Sequence, residues 1–129
     1  MTFASRIPLA LAAGAALVFA GAAFAAAPVE HAERATTTLY ANVGNSFAIT
    51  LKTKAGKPVK SLKAGTYSIV VNDASDVHNF RLKGPGFNKA TSVSGKVANQ
   101  KWTLKATKGT YTFVCDPHAS SMKGSFTVS

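Results

Sequence analysis

From residue 37 to the C-terminus, the sequence consists of short runs of β-branched and aromatic residues separated by turn residues. Residues 65–71 alternate between two faces, as expected for a strand with one side in a core. Gly44-Asn45 is a two-residue connection of the kind that forms tight hairpins. No stretch has the apolar spacing of a long amphipathic helix. The pattern predicts an all-β domain, a two-sheet antiparallel sandwich of about seven to eight strands.

The first 25 residues have the three parts of a secretory signal peptide. Arg6 supplies the positive start, residues 7–24 are apolar, and residues 23–25 (Ala-Phe-Ala) match a small-x-small cleavage pattern. The alternative is a membrane anchor, because a run of about 18 residues is nearly long enough to span a bilayer. The run is only weakly apolar, however, and no charge cluster follows it. We predict cleavage after Ala25, periplasmic or secreted localisation, and no stable membrane span in the mature chain.

Charge and composition limit the partners of the mature chain. Residues 26–36 contain few large apolar groups, which predicts a flexible arm, and residues 37–129 predict one domain with a modest core and a monomeric state. The full chain has 15 Lys and Arg against 5 Asp and Glu, and the mature chain, which lacks Arg6, has 14 against 5. The basic residues do not form an Arg-rich run, which disfavours nucleic-acid binding. The charge favours solubility or, more specifically, attraction to an acidic partner protein or an anionic membrane.

The single cysteine indicates a metal site. Cys115 would be exported to an oxidising compartment, where cysteines are usually paired in disulfides. A lone cysteine there is inert, reactive, joined to another chain or bound to a metal. His118 and Met122 follow Cys115 in the pattern Cys-x2-His-x3-Met. Because a thiolate, an imidazole and a thioether suit copper, whereas calcium and magnesium prefer oxygen ligands, the segment predicts a copper site that lacks one imidazole.

The missing imidazole is predicted to come from His78. His31 lies in the N-terminal arm, where a solvated side chain is expected. His78 begins a predicted strand in which Phe80 and Leu82 follow at strand period, so its backbone is anchored in the core. A histidine at a strand start is more often a satisfied polar residue than a ligand. The need of the C-terminal segment for a second imidazole favours the ligand assignment.

His78 and Asn79 on an upstream strand, followed by Cys115, His118 and Met122 between the last two strands, resemble the cupredoxin family of plastocyanins, azurins and amicyanins. The resemblance covers nearly all of the mature domain. It implies a Greek-key sandwich that holds one type 1 (blue) copper ion. The three residues at 78, 115 and 118 would form a trigonal plane, with Met122 as the weak axial ligand. The residue that matches Asn79 would hydrogen-bond the thiolate and join the two ligand-bearing segments.

Two features depart from the family pattern or add to it. Three residues separate His118 from Met122, whereas members with this Cys-x2-His spacing usually have two or four. A core or rim methionine is therefore the alternative interpretation of Met122. Asp116, directly after the predicted thiolate, would favour the oxidised ion and lower the potential if its side chain pointed inward. An orientation towards the surface is equally compatible with the sequence.

The sequence therefore predicts a small exported blue-copper protein that carries single electrons between redox partner proteins and is not an enzyme. Electrons would pass through the exposed edge of His118, beside a docking patch that includes Pro85 and Ala119, and the basic surface would suit an acidic docking surface on the partner. The alternatives are a periplasmic copper carrier or chaperone without redox turnover, and a metal-free β-sandwich interaction module. Zinc also suits such a ligand set chemically.

Overall fold

The computed structural model describes residues 36–129. The predicted signal peptide at 1–25 lies outside the described residues, as does the predicted arm at 26–36 except for its last residue. His31 lies outside them as well. Within the described range, no helix has the length and apolar character needed to cross a bilayer.

Short strands make up most of the domain, in agreement with the β-branched and aromatic runs of the sequence. The strands, in chain order, are β1 (Thr37–Val43), β2 (Ile49–Thr53), β3 (Ser61–Leu62), β4 (Gly65–Asp73), β5 (Arg81–Gly84), β6 (Phe87–Ala90), β7 (Val97–Ala106), β8 (Gly109–Val114) and β9 (Lys123–Val128). One 3₁₀ turn, Asp116–His118, lies between β8 and β9.

The strands form two sheets, with the orders β2-β1-β4-β7 and β3-β9-β8-β5-β6. The predicted all-β sandwich is confirmed. The described residues contain nine strands, because the two-residue strand β3 and the strand β6 add to the predicted set. Two neighbouring pairs, β1 with β4 and β3 with β9, are parallel and not antiparallel as predicted. Between β1 and β4 the chain passes through β3 in the other sheet, and β4 then runs in the same direction as β1.

A single core lies between the sheets and keeps them in a fixed relation. Alternate side chains of β1 and β4 are fully buried, among them Leu39 and Ile69. The rings of Tyr111 and Phe126 stack on neighbouring strands, with centroids 5.2 Å apart and planes 8° from parallel. Each fully buried apolar side chain of this size contributes about 1.5–3 kcal/mol relative to exposure. The loops between the strands therefore project from a rigid scaffold.

Strand direction decides which loops meet. Strands β1, β4 and β8 run towards the same end of the sandwich, here named the Cys115 end, and residues 44–48, 74–80 and 115–122 follow them there. Pro85 lies at the opposite end, where its carbonyl oxygen accepts a hydrogen bond from the Tyr111 hydroxyl at 3.2 Å. The predicted place of Pro85 in a docking patch beside His118 is therefore wrong, because β5 carries the chain away from the Cys115 end.

Candidate metal centre

Three of the predicted metal ligands lie together at the Cys115 end. The Nδ1 atoms of His78 and His118 are 3.0 Å apart. The sulfur atom of Cys115 lies 3.7 Å from each of these two nitrogens. His78 and Cys115 are buried, whereas His118 is half-buried. Two nitrogens and one sulfur therefore form a compact triangle whose one partly open corner is His118.

The dimensions and chemistry of this triangle fit a single transition-metal ion. Bonds of about 2.0 Å to imidazole nitrogen and about 2.3 Å to thiolate sulfur are typical of such sites. Two nitrogens bound to one ion can then be at most about 4 Å apart, and a nitrogen and a sulfur at most about 4.3 Å apart. All three measured edges fall within these limits. Thiolate with imidazole suits copper or zinc and does not suit calcium or magnesium.

The segment after β8 folds into a closed loop that sets the positions of Cys115 and His118. Pro117 lies in the 3₁₀ turn and fixes one backbone angle. The amide of His118 donates to the carbonyl of Cys115 at 3.1 Å, and the amide of Met122 donates to the carbonyl of His118 at 2.8 Å. The amide of Cys115 donates to the carbonyl of Met122 at 3.0 Å. These three backbone hydrogen bonds fix the conformation of residues 115–122, and with it the positions of the Cys115 sulfur and the His118 imidazole.

Met122 closes this loop and is fully buried. Its backbone pairs with Cys115 and His118, while its side chain belongs to the hydrophobic core between the sheets. Burial beside the ligand loop agrees with both sequence interpretations of this residue, an axial ligand and a core methionine.

A buried polar network orients the segment that carries His78. The hydroxyl oxygen of Ser75 accepts hydrogen bonds from the amides of Val77 and His78, at 3.1 and 3.0 Å. A carboxylate oxygen of Asp73 in turn accepts from the amide of Ser75 at 3.1 Å, and the other accepts from the Thr91 hydroxyl at 2.6 Å. This network was not predicted from the sequence. The Asp-x-Ser pattern after a strand, which is typical of side-chain-stabilised turns, would have indicated it.

Asn79 joins the segment of His78 to the segment of Cys115. Its backbone amide donates to the sulfur of Cys115 at 3.5 Å. Its side-chain oxygen accepts from the amide of Asp116 at 2.8 Å, and its side-chain nitrogen donates to the Thr91 carbonyl at 3.2 Å and to the Asp116 carboxylate at 2.8 Å. The hydrogen bond to sulfur thus comes from the backbone, whereas the side chain ties residue 79 to the residue after the thiol.

The side chain of Asp116, whose orientation the sequence left open, points towards Arg81. The Nε atom of Arg81 donates to both carboxylate oxygens, at 2.8 and 3.0 Å. This hydrogen bond, followed by the one from Asn79 and the charges of Arg81 and Lys83, holds the pKa of Asp116 below its usual value against the opposing effect of burial. About a third of each side chain in the ion pair is exposed, so the pair contributes only about 0–1 kcal/mol to stability.

An exposed phenylalanine covers both imidazoles. Phe47, in the β1–β2 loop, has its ring centroid 5.2 Å from that of His78 and 4.9 Å from that of His118, in edge-to-face arrangements. Its side chain is 67% exposed, and Val77 nearby in the chain segment of His78 is 55% exposed. The position of Phe47 was not predicted from the sequence, where the one indication was a large apolar residue directly after the turn residues 44–46.

The chain is similar to a known protein family and to several solved structures. The family described as "Copper binding proteins, plastocyanin/azurin family" matches residues 12–129. A rusticyanin variant solved at 1.5 Å is 22% identical, with a TM-score of 0.50 and coverage of 73% of this chain and 76% of that chain. Rusticyanin from Thiobacillus ferrooxidans is 20% identical, with a TM-score of 0.45 and the same two coverages.

Reduced auracyanin from the photosynthetic bacterium Roseiflexus castenholzii is 18% identical, with a TM-score of 0.46 and coverage of 73% of this chain and 98% of that chain. Because the rusticyanin variant is only 22% identical to this chain, its similarity supports the fold alone. The search of curated proteins gave no match.

Replacing Asn79 with alanine tests whether its side chain holds the two segments together. The change removes three hydrogen bonds and leaves the buried Thr91 carbonyl and the Asp116 amide without this partner. We expect the metal-free protein to lose about 2–3 kcal/mol of unfolding free energy in urea. Asn45→Ala, in an exposed loop, is the control and should change stability by less than about 0.5 kcal/mol. Equal losses in the two variants would contradict the assigned role.

Proposed function

Because the chain belongs to the copper-binding plastocyanin/azurin family, we propose that it is a small exported type 1 copper protein that carries single electrons between redox partners. Its cofactor is one copper ion. The observation that carries the proposal is the triangle of two imidazole nitrogens and one sulfur, with edges of 3.0, 3.7 and 3.7 Å. That donor set accepts both oxidation states of copper, since imidazole suits the oxidised ion and sulfur the reduced ion.

In this proposal His78, Cys115 and His118 are the three strong ligands, and Met122 supplies a weak fourth one. Bound copper would provide a reversible one-electron centre. The protein would keep the donors nearly fixed, because the loop after β8 is closed by backbone hydrogen bonds and the Asn79 side chain joins it to the segment of His78. Ligands that move little between the two oxidation states favour fast electron transfer. The amide of Asn79 would stabilise the thiolate form of the cysteine.

Electrons would enter and leave through His118, because it is the one member of the triangle that is not buried. Phe47, Val77 and Ala119 are exposed in the loops around it and would form an apolar contact surface. Lys96 and Lys123 are exposed at the same end of the sandwich, and without Arg6 of the leader the chain keeps 14 of its 15 Lys and Arg against 5 Asp and Glu. A partner with an acidic rim around an apolar centre would suit this surface, with association that weakens as salt increases.

Export completes the proposal. Residues 1–25 would be removed as a signal peptide, and the mature protein would act in the periplasm or outside the cell, in an oxidising compartment where a metal-bound cysteine is protected from oxidation. The proposal assigns no reaction to the protein beyond the transfer of an electron.

Copper titration followed by visible absorption is the experiment that tests this function. Wild-type protein should develop an intense thiolate-to-copper charge-transfer band that saturates at one equivalent of copper(II), and Cys115→Ser should lose the band completely. Ser120→Ala, on the exposed part of the same loop, is the control and should retain it. A band of wild-type intensity in Cys115→Ser, or no band in wild type, would contradict the proposal.

The rival function, a copper carrier, makes a different prediction for the same protein. A carrier must release copper to an acceptor, whereas an electron shuttle must retain the ion through many oxidation and reduction cycles. Rapid loss of copper to a chelator in either oxidation state would favour the carrier.

Met122→Leu tests the weak fourth ligand. Leucine has nearly the same volume, so the core should tolerate the change with a loss of less than about 1.5 kcal/mol. Copper should still bind at one equivalent, because the three strong donors remain, but the reduction potential should shift when the sulfur contact is lost. Protein-film voltammetry measures this shift. An unchanged potential would identify Met122 as a core residue only.

A further inference from the structure

We propose that Arg81 is a positioning residue for the metal centre, which neutralises the carboxylate of Asp116 and thereby raises the reduction potential of bound copper. The inference rests on the proposed function and adds a residue that the ligand set does not include. Arg81 lies on β5, which pairs with β8, and its register partner Val114 directly precedes Cys115. The sheet therefore places the Arg81 side chain beside the loop that follows β8, where its guanidinium contacts Asp116.

Contacts from the 3₁₀ turn after β8 and from strand β6 hold the guanidinium in place. The Nε atom of Arg81 donates to both oxygens of Asp116, at 2.8 and 3.0 Å. A terminal nitrogen of the same group donates to the side-chain oxygen of Asn88, on β6, at 2.9 Å. Since Arg81 is anchored on both sides, its charge remains at a fixed place relative to the carboxylate.

The carboxylate lies on the path that joins the two ligand segments. Asp116 directly follows Cys115, and its amide and one carboxylate oxygen both bond the side chain of Asn79, at 2.8 Å each. Asn79 donates its own amide to the cysteine sulfur. A charge on Asp116 therefore acts on the centre both through space and through groups that contact the sulfur.

The sign of the effect follows from electrostatics. The oxidised ion carries one more positive charge than the reduced ion, so an uncompensated carboxylate nearby stabilises the oxidised form and lowers the potential. A fixed guanidinium cancels most of that field. Because both side chains are about a third exposed, the pair itself contributes little to folding. Its main consequence is therefore electrostatic.

A double-mutant cycle on the reduction potential tests the inference. Arg81→Gln should lower the potential of the copper-loaded protein, because Asp116 then remains uncompensated. Asp116→Asn should raise it, because the guanidinium then remains. The double variant should return close to wild type. We expect each single change to alter the ratio of copper(II) to copper(I) affinity roughly tenfold, which corresponds to about 59 mV for a one-electron couple.

Two further variants separate charge from structure. Arg81→Lys keeps the charge and should retain a potential near that of wild type. Lys83→Gln removes the same charge from a residue that acts on Asp116 without a hydrogen bond, and should lower the potential much less than Arg81→Gln. Urea unfolding of each metal-free variant should give stabilities within about 1 kcal/mol of wild type.

The outcomes are distinct. Shifts of the same sign in Arg81→Gln and Asp116→Asn, or an equal shift in Lys83→Gln, would overturn the role of Arg81 while the charge-transfer band of the wild type still supported the copper site. Absence of that band in the wild type would overturn the proposed function and this inference together.

Discussion

The proposed metal centre depends on the hydrogen-bonded connection between two chain segments that are far apart in sequence. Asn79 follows His78 and contacts the loop that carries Cys115 and His118, with its amide on the sulfur of Cys115 and its side chain on the backbone of Asp116. Loop closure over such a separation is costly in conformational entropy, and only a rigid scaffold can maintain it. The sandwich supplies this scaffold because β4 and β8 end on the same side of one continuous core.

The centre is built so that buried polar groups have partners. Asp73, Ser75 and Thr91 satisfy the backbone around His78, so the chain can turn sharply at a buried position without unpaired amides. No buried side-chain nitrogen or oxygen within residues 36–129 lacks a hydrogen-bond partner. The two imidazole nitrogens lie 3.0 Å apart beside a thiol, which is the distance of an N–H···N hydrogen bond when one ring carries its proton at Nδ1. In the proposed function a copper ion replaces that proton, and all three donors then direct lone pairs at one point.

Local pattern predicted the fold class and the three clustered donors well, because strand period and donor chemistry are local properties of sequence. His78 could be chosen as the second imidazole because, apart from His118, it is the one histidine in the part of the chain that has a strand pattern. Two contacts were not predicted. One is the ion pair between Arg81 and Asp116, and the other is the packing of the Phe47 ring against both imidazoles. Both depend on which strands are neighbours in the second sheet and on loop direction, and neither is encoded by a local period. The misplacement of Pro85 has the same cause.

X-ray absorption at the copper edge of the loaded protein reports which atoms bind the ion, and so decides whether His78, Cys115 and His118 hold it together. We expect this ligand set to give two nitrogen neighbours at about 2.0 Å and one sulfur neighbour at about 2.3 Å, with loss of the sulfur neighbour in Cys115→Ser. A first shell of nitrogen and oxygen atoms alone, identical in wild type and variant, would contradict it.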